Sequence, residues 1–297
     1  MKILITGKTG QLGQSIQKIL NYDSSFRNTF NHINFFFVGK EELDLERPKE
    51  VDNYFNKNSF DIIVNCAAFT AVDLAEENKE LANRVNHLAV KQLAEISKDK
   101  KMKLIHISTD YVFDGKTKKK YTEDDITNPL NTYGQTKLYG EKSIKKIMKK
   151  NAIIIRTSWV YSEYKKNFLD TMLMLAKSRE KLNVVSDQIG SPTYASDLAK
   201  LLLVIISKNF NENRTKIYHF CNGGQASWHE FAVEIFKLSE INCKVIPIKS
   251  IDYHFQAQRP RNSVMSTEKV FRDLQVEIPS WQKSLARCIN AIKSNNV

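Results

Sequence analysis

The sequence has few cysteines and no long hydrophobic run. Its cysteines are far apart and lack the close spacing of a metal site: Cys66, Cys221, Cys243 and Cys288. Such isolated thiols are typical of a reducing compartment and predict a cytoplasmic protein. The longest purely apolar run, residues 201–206, is far shorter than the roughly 20 residues that a membrane span needs. The N-terminal residues lack a cleavage region, so we expect neither a signal peptide nor a membrane partner.

Aromatic residues are also missing from the basic runs. The net charge is +12, and lysines cluster at residues 116–120 and 142–150. Proteins that bind single-stranded nucleic acid place aromatic side chains beside such lysines. In the second run, Ile144, Ile147 and Met148 recur at helical spacing, which indicates a helix with a solvated lysine face. We therefore expect no nucleic-acid partner, whereas a positive field would attract an anionic nucleotide.

A glycine loop near the N-terminus is the first feature that suggests a function. Residues 2–6 form an apolar, β-rich run, Gly7-x-x-Gly10-x-x-Gly13 follows, and residues 12–22 have helical spacing. Strand, glycine turn and helix are the context that a dinucleotide site requires. The glycines permit close approach of the backbone to a pyrophosphate, which binds at the helix N-terminus. The loop therefore predicts a dinucleotide cofactor.

Strand and helix patterns alternate over the first half of the chain. Near-continuous apolar runs cover residues 2–6, 34–38, 61–65, 103–108 and 152–156. Helical patterns cover residues 12–22, 48–56, 78–98 and 132–149. Such apolar runs are typical of parallel strands that are buried on both faces. The alternation predicts an α/β fold, a Rossmann-type doubly wound parallel sheet.

The pattern loosens after residue 160, which predicts two parts. Residues 1–160 would form the NAD(P)-binding domain, and residues 161–297 a smaller α/β part that mainly binds the substrate and covers the cleft. This prediction allows the chain to pass from one part to the other more than once. In the second part, Ser227 and Glu230 have the spacing of a helix capping box.

Tyr133 and Lys137 form a Tyr-x-x-x-Lys pair at the start of a predicted helix. Residues four apart lie on one helix face. A phenol titrates near pH ~10, and a neighbouring ammonium lowers that pKa, which suits a general acid or base. The spacing alone is weak, because many exposed helix faces carry it by chance.

Together these features resemble the extended short-chain dehydrogenases/reductases. Within that group the chain is similar to the dTDP-4-dehydrorhamnose reductase family. The motifs that carry this resemblance are residues 64–73, 108–115, 131–138, 156–161, 187–193 and 259–263. They extend over almost the whole chain.

The resemblance implies an activity and three catalytic residues. The enzyme would reduce dTDP-4-dehydro-β-L-rhamnose to dTDP-β-L-rhamnose with NAD(P)H, for the biosynthesis of a surface polysaccharide. Tyr133 would protonate the oxyanion that forms at C4 of the sugar. Lys137 would hold down the pKa of the phenol and bind the nicotinamide ribose. Thr109 would donate a hydrogen bond to the ketone oxygen.

The resemblance also implies binding residues. Asp110, Trp159 and Arg259 would contact the substrate, with Arg259 on its diphosphate. Each has an alternative: a capping aspartate, a core tryptophan or a surface arginine. Besides Tyr133 and Lys137, the cofactor would contact Gly7, Gly10, Gln11, Leu12, Gly13, Lys40, Asp44, Leu45, Ala67, Ala68 and Thr70.

Cofactor choice depends on the end of the second predicted strand. The acid that often binds the ribose 2′-hydroxyl is missing there, and Lys40 would suit the 2′-phosphate of NADPH instead. We predict a preference for NADPH, with NADH possible. The sequence has no clustered carboxylates, so we assign no metal, although some relatives dimerise around magnesium. A homodimer and a Mg²⁺ requirement stay open.

Other functions on the same scaffold also stay open. One is a 4-ketoreductase of another nucleotide 6-deoxy-sugar, since facial selectivity depends on pocket shape. Another is a catalytically silent, nucleotide-binding regulatory subunit, which would have no need for Thr109, Tyr133 and Lys137 together. Dehydratases rank lower, because Asp110-Tyr111 is not their Asp-Glu pair.

Overall fold

Strands and helices alternate as expected in this computed structural model, which describes residues 1–164 and 167–295. The strands in that part of the chain are β1 Lys2–Thr6, β2 Asn34–Val38, β3 Ile62–Asn65, β4 Lys103–Thr109, β5 Ala152–Thr157, β6 Val160–Tyr161, β7 Lys181–Val185, β8 Ile189–Gly190, β9 Thr193–Tyr194, β10 Lys216–His219, β11 Ala226–Ser227 and β12 Lys244–Ile248. The α-helices are α1 Gln11–Tyr22, α2 Ser24–Thr29, α3 Pro48–Lys57, α4 Val72–Glu77, α5 Lys79–Asn83, α6 Ala89–Asp99, α7 Thr132–Met148, α8 Phe168–Ala176, α9 Ala195–Ser207, α10 Trp228–Ser239, α11 Glu268–Leu274 and α12 Trp281–Asn295.

A six-stranded parallel sheet forms the centre of the molecule, with the order β10-β5-β4-β3-β1-β2. The strand order reverses at β1, which pairs with β2 on one side and β3 on the other. In open α/β sheets, ligands bind outside the carboxyl ends of the strands at such a switch point. The predicted Rossmann-type fold is confirmed.

Alternate residues of each strand bury opposite faces of the sheet. On β1, Ile3 and Ile5 belong to the core against α1 and α9, whereas Leu4 belongs to the core against α3, α6 and α7. Burial on both faces explains the near-continuous apolar runs of β1, β3, β4 and β5. The edge strand β2 is less covered, and its Phe36 is 41 % exposed.

A second, smaller core lies in the C-terminal half. It joins α8, α10, α12 and the parallel pair β7–β12 around Phe231 and Trp281. By contrast, β10 pairs with β5 in the main sheet, and α9 packs on α1. The chain therefore crosses between the two parts more than once, and the division near residue 160 stays a prediction.

The predicted helix 78–98 is interrupted in the structure. It is divided into α5, a π-helical turn Arg84–Leu88, and α6. Within the turn, Asn86 accepts from Phe69 N at 2.9 Å and donates to Phe69 O at 3.0 Å. The backbone of α7 also approaches here, since a Cβ on Gly140 would lie 2.5 Å from Asn86 O. The π-helical turn thus lies between the loop after β3 and α7, the helix that carries Tyr133, and contacts both.

No helix in residues 1–164 and 167–295 is long and apolar enough to cross a membrane.

Candidate active site

A cleft of about 690 Å³ opens at the carboxyl ends of β1, β3, β4 and β5. Of the predicted site residues, all but Arg259 line it. They are Gly7, Gly10, Gln11, Leu12, Gly13, Lys40, Asp44, Leu45, Ala67, Ala68, Thr70, Thr109, Asp110, Tyr133, Lys137 and Trp159. The fold thus brings together residues that lie as far apart in the chain as Gly7 and Trp159.

The glycine loop leaves room for a ligand at the start of α1. Gly7 has φ +74°, and a Cβ there would meet Ala67 N at 3.0 Å. A Cβ on Gly13 would overlap the carbonyl oxygen of Gly7. Helix α1 begins without a side-chain cap or an acidic residue in its first turn. Its N-terminal N–H groups can therefore face a pyrophosphate, so the loop fits a dinucleotide.

Lys40 and Glu46 line the far end of the cleft, and the pair of Lys8 and Glu42 adjoins the lining residue Gly39. Lys40 Nζ lies 2.5 Å from Glu46 Oε1, and Lys8 pairs with Glu42. Glu42 also accepts from Gly39 N at 2.8 Å. The hydrogen bond from Lys8 lowers the pKa of Glu42 most. The strand end 38–40 itself carries no acid, as expected. Glu42 follows two residues later, and its carboxylate comes back to Gly39 because the chain turns after Lys40.

The N-terminus of α7 presents Tyr133 at the cleft. Asn131 caps the helix by accepting from Gly134 N at 2.8 Å. Thr132 donates to both carboxylate oxygens of Glu76 on α4, at 2.8 and 2.7 Å. A Cβ on Gly134 would collide with Tyr111 O, so the helix starts directly beneath the loop after β4. Tyr133 packs edge-on against Tyr111 there, with centroids 5.7 Å apart.

The pKa of Tyr133 moves opposite to the expectation from sequence. Burial raises it to about 12, while Thr109, which can donate to the phenol oxygen, works in the opposite direction. The expected lowering by Lys137 is not seen: desolvation is the largest cause of the shift, and the charge of Asp110 raises the pKa further. Tyr133 is therefore a neutral phenol at physiological pH, the form that can give up a proton.

Lys137 is almost completely buried, with 2 % of its surface exposed. Its Nζ donates to Ile107 O at 2.5 Å. Desolvation lowers the pKa of Lys137 to about 8, and the negative charge of Glu141 partly opposes this shift. Lys137 thus remains an ammonium near neutral pH but loses its proton far more easily than a surface lysine.

Thr109 and Asp110 end β4 beside the tyrosine. Thr109 Oγ1 accepts from Tyr111 N at 3.2 Å and lies 3.0 Å from Asp110 Oδ1. Burial raises the pKa of Asp110 to about 6. Its Oδ2 is buried without a hydrogen-bond partner among the described residues. A buried, half-satisfied carboxyl group in a cleft is a good candidate for contact with a ligand hydroxyl.

Trp159 lines the cleft in an unusual backbone conformation, with φ +46°. Its indole stacks on Trp228, with ring centroids 3.4 Å apart and planes 5° apart. A Cβ on Gly190 would lie 2.5 Å from Trp159 Cε2, so only glycine leaves room for the indole. Trp159 thus both packs against its neighbours and faces the cleft.

Arg259 lies outside the residues that line the cleft. Its guanidinium makes two hydrogen bonds to Asp73 on α4, at 3.0 and 2.5 Å, and lies 4.0 Å from the centroid of the Phe255 ring. Asp73 also accepts from Ala257 N at 3.0 Å. Arg259 therefore holds the C-terminal segment against α4, and its contact with a diphosphate stays a prediction.

The sequence analysis gave no role to several residues that build the cleft. Trp228 comes from a C-terminal helix, and no local motif marks it as a wall of the cleft. Asp73 ends the motif 64–73 and Glu76 follows it. They support the cleft from outside its lining, where Asp73 binds Arg259 and Glu76 accepts from Thr132. No group of three or more His, Cys, Asp or Glu residues in the described part of the chain is arranged to hold a metal ion.

Comparisons with known proteins agree on one family. A family model described as RmlD substrate binding domain matches residues 1–294. The dTDP-4-dehydrorhamnose reductase of Aggregatibacter actinomycetemcomitans is 38% identical over 96% of this chain and 97% of its own. That of Salmonella typhimurium is 38% identical over 97% of each chain.

Solved structures give the same result. A dTDP-4-dehydrorhamnose reductase from Clostridium acetobutylicum has 38% identity and a TM-score of 0.89, covering 99% of this chain and 100% of that one. The enzyme from Bacillus anthracis, solved in complex with NADP, has 34% identity and a TM-score of 0.89, covering 98% and 99%. The chain belongs to the dTDP-4-dehydrorhamnose reductase family.

Proposed function

We propose that this protein reduces the 4-keto group of dTDP-4-dehydro-β-L-rhamnose with NAD(P)H and forms dTDP-β-L-rhamnose. The observation that carries the proposal is the meeting of Thr109, Tyr133 and Lys137 in the cleft that also contains the glycine loop. Family membership supports the substrate. A nucleotide-binding regulatory subunit would have no use for a buried lysine and a neutral phenol at that place.

Tyr133 acts as the general acid. A bound reduced nicotinamide supplies the hydride, and negative charge then develops on the former ketone oxygen. Thr109 donates a hydrogen bond to that oxygen, and Tyr133 gives it a proton. The high pKa of Tyr133 keeps it protonated until this moment, since burial disfavours the phenolate.

Lys137 makes that proton transfer easier. Its ammonium holds one fixed bond, to Ile107 O, and has further N–H donors for the cofactor ribose. When Tyr133 loses its proton, the positive charge of Lys137 on the same helix face stabilises the phenolate. Cysteine and histidine chemistry is not required for any of these steps.

The substrate end of the cleft is formed by Asp110, Trp159 and Trp228. The unsatisfied carboxyl oxygen of Asp110 would accept from a sugar hydroxyl, and the indoles offer flat apolar surfaces. Arg259 would bind the diphosphate only by exchanging its bonds with Asp73, so its contribution to substrate affinity is smaller than that of a free arginine.

NADPH is the proposed preferred cofactor. Lys40 lines the end of the cleft where the adenosine ribose would bind, and Lys8 pairs with Glu42 next to the lining residue Gly39. The relative from Bacillus anthracis was solved with NADP. Glu42 and Glu46 neutralise both lysines, which leaves NADH usable. We expect Lys40→Asp to lower the ratio of kcat/KM for NADPH over NADH about tenfold. Lys49→Asp on exposed α3 is the matched control, and an unchanged ratio in Lys40→Asp would contradict the proposal.

The activity itself is tested by the loss of NADPH absorbance with dTDP-4-dehydro-L-rhamnose. We expect turnover in the wild type and a loss of about 10³-fold or more in Tyr133→Phe, which keeps the ring and removes the proton. The configuration at C4 of the product distinguishes rhamnose from its epimer. A wild-type protein that binds NADPH but does not turn over would point to another keto-sugar or to a regulatory role.

A homodimer and a magnesium requirement, which the sequence left open, are not part of the proposed function. Sedimentation velocity and turnover, each measured with and without a chelator, would test both. A chelator-sensitive dimer would support them, and a monomer with full activity would refute them.

A further inference from the structure

A chain of buried polar side chains begins at Lys137 and leads away from the cleft. Lys137 Nζ lies 3.4 Å from His106 Nε2, and His106 Nδ1 lies 3.1 Å from the amide nitrogen Nδ2 of Asn65. Asn65 Oδ1 in turn accepts from Thr6 Oγ1 at 2.7 Å, and Thr6 Oγ1 accepts from Ala67 N at 3.1 Å. The chain thus connects the predicted catalytic lysine with β4, β3 and β1.

These side chains are shielded from solvent. The exposed fraction is 0 % for His106, 1 % for Asn65 and 2 % for both Lys137 and Thr6. In the described part of the chain, no carboxylate lies within ion-pair distance of Lys137. An ammonium in such a place needs neutral acceptors, because burial alone favours the uncharged amine. Ile107 O is one acceptor, and His106 is the other candidate.

The hydrogen-bonding rules decide which nitrogen of His106 carries the proton. An ammonium only donates, so His106 Nε2 must have a free lone pair while Lys137 is charged. A neutral ring then carries its proton on Nδ1, and that N–H needs an acceptor. The structure places the amide nitrogen of Asn65 against Nδ1 and its oxygen against Thr6. A half turn of the amide, which exchanges its oxygen and nitrogen, brings the oxygen to Nδ1–H. The amide NH₂ then donates to Thr6 Oγ1, which can accept twice.

We propose that His106 is a positioning residue for Lys137, held in its Nδ1–H form by Asn65 so that Nε2 fixes the direction of the ammonium. Two fixed acceptors, Ile107 O and His106 Nε2, leave one N–H of Lys137 free for the cleft. That donor is the one required by the proposed role of Lys137, on which this inference rests. Burial, and then the charge of Lys137, lower the pKa of His106, which keeps the ring neutral.

Other groups around Lys137 do not replace this contact. Cys66 at the end of β3 has a thiol whose pKa burial raises to about 12, so it is uncharged. Tyr133 on the same helix is also neutral at physiological pH. Glu141, one turn further along α7, is bound to Arg156 and Ser108 and acts on Lys137 only through its charge. The direction of the ammonium is therefore set by His106 and the Ile107 carbonyl.

The tautomer can be measured in the unmodified protein. The chain has 6 histidines, so nitrogen NMR of ¹⁵N-histidine-labelled protein resolves the rings, and the signal lost in His106→Gln identifies His106. We expect a neutral ring with Nδ1 protonated and Nε2 hydrogen-bonded, unchanged between about pH 6 and about pH 7.5, where Lys137 is charged. A ring protonated on Nε2, or on both nitrogens, would overturn the proposal. The variant His106→Gln serves only to assign the signal, and the tautomer itself is read from the wild-type protein.

The kinetic test compares a variant that keeps an acceptor with one that does not. Turnover requires the ammonium, so it is present below the pKa of Lys137 and lost above it. His106→Leu removes a hydrogen-bond acceptor of the Lys137 ammonium. We therefore expect the high-pH limb of the kcat profile, where kcat falls as Lys137 loses its proton, to move to lower pH by about one unit. His106→Gln can accept at the place of Nε2 and should move the limb by less than half as much. His219→Leu, a buried histidine on β10 that bonds Tyr121 O, is the control and should leave the limb unchanged.

The outcomes separate this inference from the proposed function. If Tyr133→Phe retains turnover, the assigned acid is wrong, whatever His106 does. If Tyr133→Phe is inactive and His106→Leu is folded with a wild-type pH profile, only the role of His106 is refuted. Equal shifts in the leucine and glutamine variants would indicate a merely structural histidine and would also refute it.

Discussion

Two buried cations lie in the same layer of this molecule, and they are held in opposite ways. Arg156 on β5 donates to Glu141 through Nε at 3.0 Å and Nη2 at 2.7 Å, and its guanidinium lies 5.1 Å from the Phe113 ring. Lys137 on α7 has a backbone carbonyl and an imidazole but no carboxylate partner among the described residues. Each cation also contacts a buried histidine, His219 or His106.

The difference separates a structural charge from a chemical one. The Arg156–Glu141 pair is neutral overall and bidentate, so it is fixed in one geometry. A carboxylate beside Lys137 would satisfy the ammonium equally well, but it would also cancel the positive charge that the proposed mechanism requires beside the Tyr133 phenolate. Neutral acceptors position Lys137 and leave its charge acting on the cleft. The cost is the lowered pKa of Lys137, about 8.

The largest expected effect comes from removing the unpaired cation. Lys137→Met should lower kcat for dTDP-4-dehydro-L-rhamnose about 10³-fold, because the phenolate loses its counter-charge. The folded state disfavours the ammonium below about pH 8, so we expect the free energy of unfolding at neutral pH to stay equal or rise. Turnover assays and urea unfolding check the two halves. If Lys137→Met stayed active, or lost several kcal/mol of unfolding free energy, Lys137 would not differ from the structural cation Arg156.

The next effect comes from breaking the paired cation. Glu141→Gln leaves the buried Arg156 guanidinium without a counter-charge and should cost about 3 kcal/mol of unfolding free energy. The double variant Glu141→Leu/Arg156→Leu removes both charges and should recover most of that loss. Urea unfolding of the three proteins makes the comparison. A cost below about 1 kcal/mol in Glu141→Gln would show that the pair is not structural.

The smallest effect is the pH dependence of the wild-type enzyme. The proposed mechanism requires the ammonium of Lys137, whose pKa is about 8. The value of kcat for reduction should therefore be constant below this pH and fall about tenfold per pH unit above it. Glu141→Gln removes a negative charge that raises this pKa, so its high-pH limb should move to lower pH. Rate measurements from about pH 6 to about pH 10 check both. If kcat began to fall only near the pKa of an ordinary lysine, Lys137 would not be desolvated in the working enzyme.

Much of the nucleotide-binding half could be predicted from local patterns. The strands 2–6 and 34–38 have the predicted ends, because an apolar run and its flanking glycine or polar residues define a buried strand locally. The capping box at Ser227 is confirmed for the same reason, since both of its hydrogen bonds lie within one turn. Interruption of helix 78–98 was not predictable, because it follows from contacts between Asn86 and the loop after β3.

In the candidate site, too, the positions of the residues could be predicted from local motifs, whereas their contacts and protonation could not. Motif residues such as Thr109 and Tyr133 line the cleft as expected, because each follows or faces the carboxyl end of a predicted strand. Their protonation was not predictable, since the raised pKa of Tyr133 depends on burial by distant segments. Arg259 differs for a similar reason: its partner Asp73 is 186 positions away.

By itself, the sequence determined the strand–glycine–helix start, the parallel sheet and the family, because these depend on periodicity and on short motifs. Only the tertiary structure decided which charges are satisfied. Whether a buried lysine or arginine is neutralised depends on which side chains of other strands and helices meet it. That meeting places Glu141 against Arg156 and leaves Lys137 between His106 and a carbonyl.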